Sequence, residues 1–104
     1  MKIQFNTDKN IEGHERLEKF FSSELEKDLA RFDDKVTRIE VHLGDENSDK
    51  GGVKDKRCMI EARPVKLQPI AVTAFGDSIE KAFFLASEKI KKVLSTAFDK
   101  QQVR

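Results

Sequence analysis

Thr37-Arg38-Ile39-Glu40-Val41-His42-Leu43 alternates without a break. Thr37, Ile39, Val41 and Leu43 fall on one face, and Arg38, Glu40 and His42 on the other, the period-two pattern of a half-buried strand. A second run, Arg57–Arg63, repeats it, with Cys58, Ile60 and Ala62 inward and Arg57, Met59, Glu61 and Arg63 outward. Gly44 to Asp55 between them is polar and contains Gly51-Gly52, so the two runs read as an antiparallel hairpin with a long connection.

Upstream of the hairpin, Glu12 to Phe32 changes period. Leu17, Phe20, Phe21, Leu25, Leu29 and Phe32 recur at steps of three and four, one apolar stripe on a helix. Asn10 is a suitable N-cap, and Asp33-Asp34 suits a helix C-terminus poorly, which places the end near Phe32. Before the helix, Lys2–Asn6 alternates about Ile3 and Phe5 and reads as a short strand. Downstream, Pro64 and Pro69 bracket a turn, and Ile70–Phe75 is a fourth strand ended by Gly76-Asp77. Ser78 to about Phe98 is a second amphipathic helix, and Lys100–Arg104 reads as a frayed tail.

The order β-α-β-β-β-α, with strands apolar on one face only, predicts an α+β two-layer sandwich: a four-stranded sheet with both helices on one face. The first helix serves as a right-handed crossover between two parallel strands. The chain has 104 residues, one domain's worth, with 38% hydrophobic and 38% charged residues. Eight Phe carry much of the core, since Trp and Tyr are absent. Cys58 is the single cysteine, so no internal disulfide forms. No apolar run has the length of a signal peptide or a membrane span, and a reducing cytoplasm is the expected location.

Net charge is only +1, from 20 basic and 19 acidic residues, so affinity for nucleic acid would require the charges to be sorted by face. The wheels sort them. Arg16, Lys19, Lys27 and Arg31 fall on one flank of the first helix, opposite Glu15, Glu18, Ser22 and Glu26. Lys81, Lys89 and Lys92 fall on one flank of the second, with Glu80 and Lys91 on the other and Glu88 near the outer midline. Two readings fit: basic stripes that track RNA phosphates, or an ordinary solvated face laced by i,i+4 pairs. On the open sheet face Arg38, Arg57 and Arg63 interleave with Glu40 and Glu61, a mixture that favours cross-strand ion pairs over RNA contact.

Motifs for chemistry are lacking. Asp45, Asn47 and Asp49 fit the first ligand positions of a calcium loop, but Lys50 replaces the turn glycine and Lys56 the bidentate glutamate. Cys58 and His42 point to opposite sides of the sheet and cannot form a nucleophile–base pair. Gly51-Gly52 lacks the phosphate-loop pattern. The expectation is a protein without catalytic activity, cofactor, metal or small-molecule substrate.

Several segments carry a likeness to a known family. They are Arg31-Phe32-Asp33 leading into Ile39–Leu43, then Lys56–Arg63, Gln68–Thr73 and Glu88–Lys92, in collinear order from about Met1 to Leu94. The chain resembles the ribosome hibernation-promoting factors, also called ribosome-associated translation inhibitors or sigma-54 modulation proteins, in their short form. The resemblance implies a fold like a double-stranded-RNA-binding domain with an added first strand. It also implies binding to the decoding region of the small ribosomal subunit, where messenger and transfer RNA would lie, and silencing of ribosomes under stress or in stationary phase. Carried over by motif, Lys27, Lys89 and Lys92 on the helices and Lys56 and Arg57 opening the third strand would contact ribosomal RNA. Arg31 and Lys81 join them from the helical wheel. The chain ends soon after the second helix, without the dimerisation domain of long-form factors, so a single domain spanning 1–104, monomeric in solution, is expected. A protein-interaction module of the sigma-factor-modulator type is the alternative, docking through Met59, Thr73 and Phe75 on the open sheet face.

Overall fold

The computed structural model describes residues 1–9, 11–46 and 55–102. The expected Asn10 cap, the tip of the long connection with most of its calcium-like pattern, and the last two residues lie outside these. The elements are β1 (Lys2–Thr7), α1 (His14–Asp28), a 3-10 turn (Ala30–Phe32), β2 (Val36–Asp45), β3 (Lys56–Pro64), β4 (Ile70–Gly76) and α2 (Ile79–Gln102).

The sheet order is β1-β2-β3-β4, with β1 parallel to β2 and the other pairs antiparallel. Both helices cover one face, giving the expected α+β sandwich. The hairpin register sets Leu43 against Cys58, Val41 against Ile60 and Ile39 against Ala62, so each of these apolar positions meets another across the ladder. These six side chains are buried beneath Phe21, Leu25 and Leu29 of the first helical segment and Phe83, Ile90 and Leu94 of the second. On the edge strands Ile3, Phe5, Ile70 and Val72 close the core from the sides and stay partly buried.

Three local features depart from the sequence reading. The register shifts between Val36 and Arg38, so Thr37 is the extra residue of an irregularity. Val36 therefore enters the core while Thr37 turns outward and donates to the Arg63 carbonyl at 3.0 Å. α1 ends at Asp28 rather than Phe32, because Leu29 leaves helical geometry at φ −108° and the chain tightens into the 3-10 turn. That turn aims Phe32 inward to stack on Phe98 at 5.6 Å. α2 then runs on to Gln102, beyond the expected end near Phe98.

Two glycines matter. Gly13 caps α1 with φ 66°, a left-handed conformation that suits glycine, and no side chain caps this helix. A Cβ on Gly76 would stand 2.8 Å from the Ala82 nitrogen, so only glycine lets β4 turn into α2 this closely.

The open face is sorted in rows across the strands. Lys2, Arg38 and Arg63 stand side by side, and Gln4, Glu40, Glu61 and Ala71 form the next row. Like charges therefore face each other across β2 and β3, contrary to the expected cross-strand pairing. The ion pair runs along β2 instead, Arg38 to Glu40 at 2.7 Å. Among the described residues no helix is long and apolar enough to cross a membrane.

Candidate nucleic-acid interface

The relation of the two helices decides what the charged stripes can do. Phe21 stacks on Phe83 at 3.9 Å, Ser87 donates to Asp28 at 3.2 Å, Arg31 donates to Ser95 and Phe32 stacks on Phe98. The partner numbers rise together, so α1 and α2 lie side by side and parallel. The seam between them opens outward as a groove. Its middle is a depression of about 250 Å³ lined by Asp28, Phe84, Ser87, Glu88 and Lys91. Toward the helix C-termini a second depression of about 290 Å³ lies between Arg31 and Lys35, over Phe32 and Phe98.

The seven expected RNA contacts separate into three groups. Lys27, Arg31 and Lys92 lie on the helix layer: Arg31 lines the groove, Lys92 stands on the outer surface of α2 and Lys27 on α1. Lys27 is exposed and pairs with Glu24 at 3.1 Å, one turn back on α1. Arg31 lies 4.6 Å over the Phe32 ring and crosses to Ser95, on the patch of α2 that also holds Lys91 and Lys92. Lys92 is exposed and makes no ion pair or hydrogen bond among the described residues.

Lys81 and Lys89 share the second helix with Lys92 but differ in use. Lys81 reaches Asp77 at 3.5 Å, four residues back. Lys89 turns away from the groove, and its Nζ donates to the Thr73 carbonyl at 2.8 Å on β4, the edge strand. A charge held there blunts that edge against pairing with another strand.

Lys56 and Arg57 stand on the hairpin, apart from the groove. Lys56 lies 2.9 Å from Asp55 and 3.5 Å from Asp45. Its hydrogen bond to Asp55 holds that carboxyl below the usual carboxylate range and pushes the lysine above its own. Arg57 Nε lies 3.1 Å from Glu46 but makes no hydrogen bond, and the guanidinium rests near Gly44, the residue opposite it in the ladder. Both cations are occupied in holding the base of the connection.

The structure adds Lys91, which the wheel assigns to the flank opposite Lys89 and Lys92. That flank proves to be the one facing α1. The signal was present in Phe84, Ser87 and Lys91, spaced by three and four, but only the pairing of the helices gives the flank a meaning.

Cys58 is fully buried, and burial pushes its thiol up to about 12. His42 sits on the opposite sheet face, 3.5 Å from Glu40. The native thiol is expected to resist a thiol-specific disulfide reagent at pH 8 and to react fully once the chain is unfolded in urea. Because its pKa is higher folded than unfolded, its contribution to stability is complete below pH 9 and is lost as pH rises toward about 12. Rapid labelling of the native protein would contradict this burial.

A family model described as sigma 54 modulation protein / S30EA ribosomal protein matches residues 5–102, from β1 to the end of α2. The chain belongs to this family. Solved structures that share the fold include the following two. A ribosomal subunit interface protein from Coxiella burnetii superposes with a TM-score of 0.68 at 20% identity, over 95% of this chain and 99% of that one. The N-terminal domain of Thermus thermophilus Protein Y superposes with a TM-score of 0.69 at 17% identity, over 88% and 93%. No curated protein matches the chain. Membership agrees with the resemblance drawn from the hairpin and helix segments.

Proposed function

We propose that this member of the family binds the small ribosomal subunit through its helix layer and inhibits translation without turnover, by occluding the decoding region from messenger and transfer RNA. The observation that carries the reading is that Arg31 and Lys91 line the groove and Lys92 stands beside Lys91 on the outer surface of α2, with Lys91 and Lys92 free of internal partners among the described residues. An unpaired exposed ammonium gains a phosphate without first losing a carboxylate, so these two lysines contribute most per residue. The family description names a ribosomal protein, and the structurally similar Coxiella protein is a ribosomal subunit interface protein. Occlusion needs only a rigid body held in place, and a packed sandwich suits that. On this reading the protein works in the cytoplasm as a monomer, and stress or stationary phase is when silenced ribosomes are needed.

One observation favours a second reading. Phe75 is 45% exposed on the open sheet face, beside Arg57 and near the Met59–Thr73 pair, which would suit a protein partner.

Co-sedimentation with isolated ribosomal subunits at low and high salt separates the two. Saturable binding to the small subunit that weakens steeply with salt is expected. Salt-insensitive binding that Met59→Glu abolishes would move the interface to the sheet, and no binding at low salt would end the ribosomal reading.

A further inference from the structure

Phe20 and Phe84 are 48% and 41% exposed, although the protein has few large apolar side chains to spare. Single exposed apolar residues are common on any surface. These two, however, touch. Their rings meet edge to face at 6.4 Å and 84°, across the mouth of the groove between α1 and α2. Beneath them Phe21 and Phe83 are fully buried and stacked, and Phe84 contacts both, at 6.5 and 5.5 Å. The outer pair is therefore propped on a rigid inner pair, with ring surface left facing solvent.

Cations flank each ring along its own helix. Arg16 stands four residues before Phe20 and Lys27 seven after; Lys81 stands three before Phe84 and Lys91 seven after. Seven residues are two turns, about 10 Å along the axis. Of the nearby acids, Glu24 is held by Lys27 and Asp28 by Ser87, while Glu80 and Glu88, four residues to either side of Phe84, stand exposed.

The pattern does not suit an apolar helix laid in the groove. Such a partner needs further apolar anchors three, four and seven residues along. After Phe20 those positions are Ser23, Glu24 and Lys27, and after Phe84 they are Ser87, Glu88 and Lys91. Isolated aromatic rings set among lysines and arginines match a ligand that is itself alternately flat and anionic. Stacking on such rings tolerates any base, and the neighbouring cations hold the backbone.

We propose that Phe20 and Phe84 form a stacking platform for an unpaired RNA base, with the flanking phosphates held by Lys27 and Lys91. This rests on the proposed binding of ribosomal RNA by the helix layer and assigns that layer a contact that is not electrostatic.

The test compares the wild-type protein with Phe20→Leu, Phe84→Leu and Phe84→Trp, titrated onto isolated small ribosomal subunits at several salt concentrations. Leucine keeps the apolar character and removes the π face. Each leucine variant is expected to bind about tenfold more weakly with the salt dependence unchanged, since stacking releases no counterions. Phe84→Trp should keep wild-type affinity, and its indole, the only one in a chain without Trp, should be quenched at saturation. Should a leucine variant melt below the assay temperature by circular dichroism, the quenching in Phe84→Trp decides alone. Wild-type affinity in both leucine variants would overturn the platform while leaving the ribosomal reading intact. A blue-shifted, unquenched indole on binding would place the ring against protein and also overturn it. Failure of the wild-type protein to bind at any salt would remove the ribosomal reading and the platform together.

Discussion

Lys91→Ala/Lys92→Ala should weaken binding to the small ribosomal subunit about 100-fold at ~0.1 M salt, because each phosphate left without its lysine keeps roughly one counterion that binding would otherwise release. The same change should flatten the plot of log affinity against log salt by about two units. Both ammonium groups are exposed and without internal partners among the described residues, so their removal leaves no orphaned acid and costs the fold little. The control is Lys89→Ala. Lys89 lies on the same helix but donates to the Thr73 carbonyl, away from the groove, so its removal should change the salt dependence by less than about one unit. Equal effects of Lys89→Ala and the double variant would show that the whole helix surface acts as a diffuse charge. An unchanged slope in the double variant would take the interface off the groove.

Arg31 follows a different rule from the two lysines. It is already spent on Ser95 and on the Phe32 ring, so its replacement would loosen the seam between the helices as well as remove a charge. Weaker binding by an Arg31 variant would therefore not by itself assign a phosphate contact, and the lysine pair is the cleaner probe.

The sheet was legible in the sequence because strand alternation has a fixed period, which tells which residues of β2 and β3 face the core. Thr37 was misplaced for the same reason: alternation assumes regular pairing, and one irregularity shifts every residue before it by one position. The helix charges were harder. A wheel gives the angle of Lys89 and Lys91 about an axis, yet not what lies beyond each flank. With α1 parallel to α2 and packed against it, one flank becomes a groove and the other a sheet edge. Lys89 thus joins the edge strand and Lys91 the groove, although of the two only Lys89 was expected to meet RNA. Lys56 and Arg57 show a further limit, since their carboxylate partners Asp45, Glu46 and Asp55 come together only when the hairpin closes.

Phe83→Ala should destabilise the protein by about 3–5 kcal/mol, the range for truncating a buried aromatic. Phe83 is fully buried and stacked face to face on Phe21, with the rings 8° from parallel. α2 is also anchored to the sheet by Ile90 and Leu94, whereas the seam between the helices depends on a few contacts, of which this stack is the best packed. Against a total stability of about 5–15 kcal/mol, such a loss leaves the variant folded but marginal. Urea unfolding followed by circular dichroism, chosen because the chain has neither Trp nor Tyr, would show a lower midpoint with the slope retained. Phe83→Leu, which conserves most of the volume, should lose much less. The groove exists only while the helices hold their spacing, so ribosome affinity should fall in Phe83→Ala even where the variant is folded. A loss below about 1 kcal/mol would mean that each helix is held by the sheet alone, since that is the scale of an average substitution. The groove would then be a consequence of where two independent helices happen to sit, and its width could vary without cost to the fold.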